Sequence, residues 1–145
     1  MAEVVQASHT LCIATRGKGF TEITEELRRW LGSLSAEAGL LTVFVRHTSA
    51  SLIIQENADP NVRRDLMDAL EGFAPEDAPY HHHEEGPDDM PSHIKSMLTE
   101  VSLSIPVAGG RMALGTWQGV YLIEHRDEPH ERSIALNFLG HCASG

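Results

Sequence analysis

Residues 4–15 alternate loosely between apolar and polar side chains, many of them β-branched, and Arg16-Gly17-Lys18-Gly19 ends the run. That pattern predicts a strand closed by a turn. The period then changes. Ile23, Leu27, Trp30, Leu31 and Leu34 recur at helical spacing, with Thr21 or Thr24 as N-cap and the stretch from Gly32 to Gly39 closing the helix. Residues 40–48 and 51–56 read as two strands, expected to pair antiparallel. Asp59-Pro60 opens a second helix. Aspartate accepts an N–H bond at the cap, and proline is tolerated in the first turn, where its missing donor costs nothing. Val62, Leu66, Met67 and Leu70 supply that helix's apolar stripe.

A long polar connection follows over residues 72–91, holding Tyr80-His81-His82-His83-Glu84-Glu85-Gly86 and Asp88-Asp89. Connections of that length in a compact domain are usually functional or disordered. A short helix is expected next, with Met90, Ile94, Met97 and Leu98 on one face. The last third reads as strands over 101–107, 111–117, 120–125 and 132–140, with Gly109-Gly110 and Gln118-Gly119 as hairpin turns. Strands joined by short turns cannot be parallel neighbours. The expected fold class is therefore α+β, a mostly antiparallel β-sandwich flanked by three helices, in a single domain over residues 1–145. No internal repeat or low-complexity tract interrupts it.

Composition narrows the partners more than the fold. The hydrophobic fraction is 41%, the charged fraction 22% and the mean hydropathy −0.20, as in an ordinary globular chain, and no apolar run is long enough for a bilayer helix. Eleven Lys plus Arg against 21 Asp plus Glu give a net charge of −10. So few cations cannot neutralise a row of phosphates, which argues against nucleic acid and anionic membrane as partners. An anionic small molecule needs a bound cation, or a local set of donors and arginines, to offset the field. Cys12 and Cys142 make no disulfide framework, and residues 1–6 show no basic-then-apolar leader, so a cytoplasmic location is expected.

The candidate chemistry lies in the nine histidines and their neighbours. His47 shares strand parity with Leu41, Val43 and Val45, and His125 shares it with Tyr121 and Ile123. His93 flanks the stripe of the short helix. Each borders an inward face beside a polar turn, so each is a candidate for one shared polar hollow, although a lone histidine so placed is more often a hydrogen-bonded core residue. The loop triplet with Glu84, Glu85, Asp88 and Asp89 offers imidazole and carboxylate to a divalent ion such as zinc or manganese, or is a solvated acidic loop. His47-Thr48-Ser49-Ala50-Ser51 sets hydroxyls beside an imidazole, suited to holding a phosphate oxygen or activating a nucleophile. Gly115-Thr116-Trp117-Gln118-Gly119 places small residues and donors at a strand end. No nucleophile elbow, P-loop or dinucleotide fingerprint is present.

In chain order, the strings His47-Thr48-Ser49-Ala50-Ser51-Leu52, Glu56-Asn57-Ala58-Asp59-Pro60 with Asp65, Tyr80, His82, Glu85-Gly86, Asp88-Asp89-Met90-Pro91, His93-Ile94-Lys95, Leu114 to Gly119 and Glu124-His125-Arg126 resemble the YjbQ family, also described as secondary thiamine-phosphate synthase proteins. The set spans roughly residues 40–130. His81 and His83 stand outside the family pattern, and Asn137 lies in a last strand that varies among relatives. The resemblance implies an α+β sandwich assembling as a homotrimer, with its polar residues in a cleft near the subunit contact. It also implies a weak ability to join a pyrimidine diphosphate to a thiazole phosphate, releasing pyrophosphate.

Matched to that reaction, His47, His93, His125 and Asp89 are the expected catalytic residues. Thr48, Ser49, Lys95, Thr116, Gln118 and Arg126 would hold the phosphorylated small-molecule ligand. His82, Glu85 and Asp88 would hold a divalent ion, magnesium, manganese or zinc. A metal-dependent phosphoester hydrolase and a non-catalytic binder of an anionic metabolite are the competing readings.

Overall fold

The computed structural model describes residues 3–144. Eleven elements follow in the order β1 (Val5–Ala14), β2 (Gly19–Glu22), α1 (Thr24–Ser33), β3 (Ala36–Val45), β4 (Ala50–Glu56), α2 (Pro60–Phe73), α3 (Asp89–Leu98), β5 (Ser102–Ala108), β6 (Arg111–Met112), β7 (Gln118–Glu124) and β8 (Glu131–Cys142). They form two antiparallel sheets, one in the order β1-β8-β3-β5-β6 and one in the order β2-β7-β4. The α+β sandwich with three helices is the observed class.

Strand alternation builds the core. Leu41, Val43 and Val45 of β3, Leu103, Ile105 and Val107 of β5, and Ile134, Leu136 and Phe138 of β8 turn to one side of the five-stranded sheet. They meet Leu52 of β4, Val120 and Leu122 of β7, and Ile23, Leu27 and Leu31 at α1. Burying a side chain of this size is worth about 1.5–3 kcal/mol. The second face of β7 is buried as well: Tyr121 packs edge-on against Phe20, and its hydroxyl meets Arg63 of α2 at 3.1 Å. A strand covered on both sides explains why His125, at its end, is sealed.

Several local expectations are corrected. Residues 40–48 and 51–56 do not pair: β3 lies between β5 and β8 while β4 pairs with β7, because residues 46–49 carry the chain from one sheet to the other. The strand expected over 111–117 shortens to Arg111–Met112. Gln118-Gly119 is not a turn but the start of β7; the turn sits earlier, closed by Gln118 N–H donating to Gly115 O at 3.1 Å. Ile23, rather than a threonine, occupies the N-cap of α1, and Thr24 instead donates to Glu22 and accepts from Val120 N–H. Gly32 lies inside α1. Gly109-Gly110 does form the β5–β6 turn, with φ of 58° and 75°, and Asp59 caps α2 by accepting Asn61 N–H at 2.9 Å.

The largest difference is in α3. Its buried face is Asp89, Pro91, Ser92, Lys95 and Ser96, whereas Met97 is 75% exposed and Leu98 is exposed too. Polar contacts, not an apolar stripe, dock this helix on β4. His93 reaches Thr48 O, Ser96 donates to Ala50 O at 3.0 Å, and Thr99 donates to Ser51 Oγ at 2.5 Å. Residues 93 and 96 share one face of the helix, and Thr99 adds the third contact from the position just past its C-terminal end.

Candidate functional site

Asp89 stands in the first turn of α3, where the helix dipole favours a carboxylate, and His93 stands one turn later on the same face. The connection from α2 returns His82 to them. His82 Nε2 lies 2.6 Å and His93 Nε2 3.2 Å from Asp89 Oδ2. The two imidazole centroids are 5.7 Å apart, and one donor atom from each of the three residues falls within 4.8 Å of the others. The Asp89 side chain is 4% exposed, that of His82 42% and that of His93 33%. The carboxylate is therefore the floor of the site and the imidazoles its open rim.

Neighbours fix each group. His93 Nδ1–H donates to Thr48 O at 2.9 Å, and its Nε2 faces Asp89 Oδ2, donating there in the imidazolium form and able to bind an ion once that proton is lost. Asp89 Oδ1 accepts from Arg126 Nη1 at 2.6 Å. Arg126 Nε donates to Asp88 Oδ2 at 3.0 Å, and Asp127 N–H donates to the same oxygen at 2.8 Å. Burial pushes the Asp89 carboxyl up, but the His82 hydrogen bond and the charges of His93 and Arg126 outweigh it and hold the group below its ordinary value. Asp88 is likewise held low: burial works against ionisation, and the Asp127 N–H and Arg126 override it. His82 is raised by its bond to Asp89, with the Asp89 and Glu85 charges adding to it.

Two imidazoles and one carboxylate suit zinc, manganese or iron(II); magnesium prefers an all-oxygen shell. The donor set thus fits a borderline divalent ion. Sequence reasoning assigned His82, Glu85 and Asp88 to the metal and Asp89 and His93 to catalysis. In the structure His82, Asp89 and His93 form the set, Glu85 Oε2 sits 3.2 Å from His82 Nε2, and Asp88 faces Arg126. The Asp89-to-His93 spacing of four on a helix was the available signal.

The remaining candidates lie elsewhere. His125 is 1% exposed; its Nε2 meets Ser51 Oγ at 2.8 Å and its Nδ1 has no partner among the described residues. Burial, then the Lys95 ammonium, push its pKa down to about 3. Lys95 is also 1% exposed and is paired with Glu71. His47 Nε2 accepts Ser133 N–H at 2.8 Å, tying the end of β3 to β8, and burial with the Arg132 charge lowers its pKa. Ser49 Oγ accepts from Arg132 Nη2 at 3.0 Å. Thr116 and Gln118 line a separate open cleft of about 960 Å³ with Asn57, Glu22, Arg28 and Arg111, at the opposite end of β7 from Arg126. Along seven strand residues that separation is about 20 Å. The structure therefore gathers Thr48, His82, Glu85, Asp88, Asp89, His93 and Arg126, and leaves the other six candidates outside that group.

The family model described as "UPF0047 protein YjbQ-like" matches residues 9–141. The chain belongs to this YjbQ (UPF0047) family. The UPF0047 protein sll1880 of Synechocystis is 49% identical, with 93% of this chain and 92% of that protein covered. The YjbQ of Salmonella typhimurium is 46% identical, covering 90% and 96% respectively. Among solved structures, the conserved hypothetical protein TT1486 of Thermus thermophilus superposes with a TM-score of 0.78 at 38% identity, covering 88% of this chain and 97% of that one. A YbjQ-like protein of unknown function from Sulfolobus solfataricus reaches a TM-score of 0.88 at 19% identity over 96% of this chain and all of that one, a likeness of fold alone. The names of these YjbQ relatives state a family and no reaction. No helix among the described residues is long and apolar enough to cross a membrane.

Proposed function

We propose that this YjbQ-family chain is a metal-dependent enzyme of phosphorylated small molecules, with a weak thiamine-phosphate synthase activity. In that reaction the bond from the pyrimidine methylene to diphosphate breaks, the thiazole nitrogen takes the carbon, and pyrophosphate leaves. The observation that supports the reading is the convergence of His82, Asp89 and His93 at an open surface. A departing pyrophosphate needs its charge neutralised. The local cations are already matched, Arg126 by Asp88 and Asp89, Lys95 by Glu71, and Arg132 by Glu124. An ion on the triad would supply that charge as a Lewis acid. Thr48 is exposed at the rim, where its hydroxyl is free to meet a phosphate oxygen.

The test is to incubate the protein with both half-substrates and zinc or manganese, and to measure thiamine phosphate and pyrophosphate. Asp89→Asn and His93→Ala should reduce the metal-dependent product at least tenfold; full turnover in folded variants would end the assignment. The exposure of both imidazoles leaves the site open to water, which favours phosphoester hydrolysis as a second reading. That reading predicts inorganic phosphate from simple phosphate esters, lost on adding a chelator. Thermal stabilisation by the ligands without any turnover would instead identify a binding protein.

The reading includes a homotrimer. The outer face of the five-stranded sheet supports it: in register, Leu40 lies between Leu139 and Pro106, Thr42 between Asn137 and Ser104, and Phe44 between Ala135 and Ser102. That array carries no formal charge on a chain of net −10. Sedimentation equilibrium reads the mass directly, and a monomer would remove this part.

A further inference from the structure

The arrangement around Arg126 separates two roles that an arginine near a phosphate site can play. Its guanidinium presents five N–H donors in a rigid planar fork. Three of them are already directed: Nη1 to Asp89 Oδ1 at 2.6 Å, Nε to Asp88 Oδ2 at 3.0 Å, and Nη2 to Glu85 O at 3.0 Å. The acceptors lie on the first turn of α3, on the residue before it, and in the loop that carries His82. The side chain is also mostly covered.

A carboxylate with one oxygen held by a fork donor offers its other oxygen in a fixed direction. For Asp89 that other oxygen is Oδ2, the atom facing both imidazoles. Meanwhile the guanidinium charge is met by two carboxylates in contact, so a phosphate approaching it would compete with both.

We infer that Arg126 is a positioning residue of the metal centre: it aims Asp89 Oδ2 at the ion and fastens the His82 loop to α3, and it is not a ligand of the substrate's phosphate. This rests on the metal reading above. A lysine keeps the charge at this position but cannot hold three acceptors in one plane. Groups that orient a metal ligand typically cost ten- to a hundredfold in metal affinity when altered.

The experiment titrates metal-free wild type and R126K with zinc alone, against a chromogenic chelator, and records the visible absorption of the cobalt(II)-loaded forms. Pyrophosphate affinity is measured on the zinc-loaded proteins. The expected result for R126K is zinc binding about ten- to a hundredfold weaker, with an altered cobalt spectrum. Ethylguanidinium should restore part of the affinity to R126A, and ethylammonium should not. Wild-type zinc affinity and cobalt spectrum in R126K, with only pyrophosphate binding weakened, would make Arg126 a phosphate ligand and overturn the inference. Where R126K does not fold, D88A reads the same link by removing one acceptor of the guanidinium; unchanged zinc affinity there also overturns it. Failure of wild type to bind zinc at all would instead remove the functional reading, a result separate from either.

Discussion

His93 and Thr48 are joined across the gap between α3 and the start of β4, with Nδ1 2.9 Å from the Thr48 carbonyl oxygen. This one bond fixes the tautomer of the imidazole and docks the helix. Removing the ring therefore has two consequences of different size. His93→Ala should weaken zinc binding at least tenfold, because one of three donors is gone, while the docking contact it loses is worth only about 1 kcal/mol. Zinc titration alongside thermal melting of the metal-free protein checks the pair. An H93A protein that keeps wild-type zinc affinity would exclude His93 from the metal shell.

His125 predicts how stability depends on pH. Its folded-state pKa of about 3 lies below the 6.5 of an unperturbed histidine, mainly because the ring is buried and secondly because the Lys95 ammonium acts on it. Between those values the unfolded chain binds the proton and the folded chain does not, so this contribution is complete above pH 6.5 and is lost as pH falls toward 3. Its size is about 2 kcal/mol between pH 7 and pH 5. His47, also held below its ordinary value, adds in the same direction, and His82, held above its own, acts oppositely. Urea denaturation across that range should show the loss, and His125→Asn should flatten it. An unchanged slope in the variant would mean that the ring is not the titrating group.

How legible this was depends on whether a single element or several had to be known. The Asp59-Pro60 cap and the Gly109-Gly110 turn are local signals, and each appears where expected, whereas the expected connection over 72–91 hides that Asp89 already belongs to the helix of His93. Strand parity puts His125 on the side of Tyr121 and Ile123, but only elements distant in sequence, Phe20 and α2 beside Tyr121 and the end of α3 beside Ser51, decide that this side is sealed. Apolar spacing in α3 points to Met97 and Leu98 as part of its buried face, whereas Ser92, Lys95 and Ser96 face inward to hydrogen-bond and ion-pair partners. The pairing of residues 40–48 with 51–56 failed for a related reason. Adjacent strands suggest a hairpin, and nothing in residues 46–49 announces a crossing between sheets.

Lys95 and Glu71 predict an asymmetry. Lys95 is sealed, and its partner is 40% exposed on α2. Glu71→Gln leaves a buried ammonium with its counter-charge gone, a change that costs about 3–5 kcal/mol in fully buried pairs and less here because water reaches the carboxylate side. Lys95→Met removes the charge along with its need for a partner and should cost less than Glu71→Gln. Denaturant melts of the two variants decide it. A larger loss for Lys95→Met would show that the pair stabilises through mutual attraction and not through the avoidance of an unpaired charge.

Gly86 and Gly72 make opposite predictions for the same substitution. Gly86 has a φ of +101°, in the region that side chains rarely adopt, and an added Cβ would lie 3.3 Å from Asp88 Oδ1 and 4.0 Å from Arg126 Nη2. Gly86→Ala should cost about 1–2 kcal/mol for the backbone alone. Because the shifted loop carries His82, the substitution should also weaken zinc binding. Gly72 is within α2, near its end, and a Cβ there meets nothing within 4 Å. Gly72→Ala should therefore stabilise by about 0.5–1 kcal/mol and leave zinc affinity unchanged. Thermal melting with a zinc titration on each variant reads both effects. A stable Gly86→Ala protein with full zinc affinity would mean that the conformation of this loop does not hold His82 in the metal set.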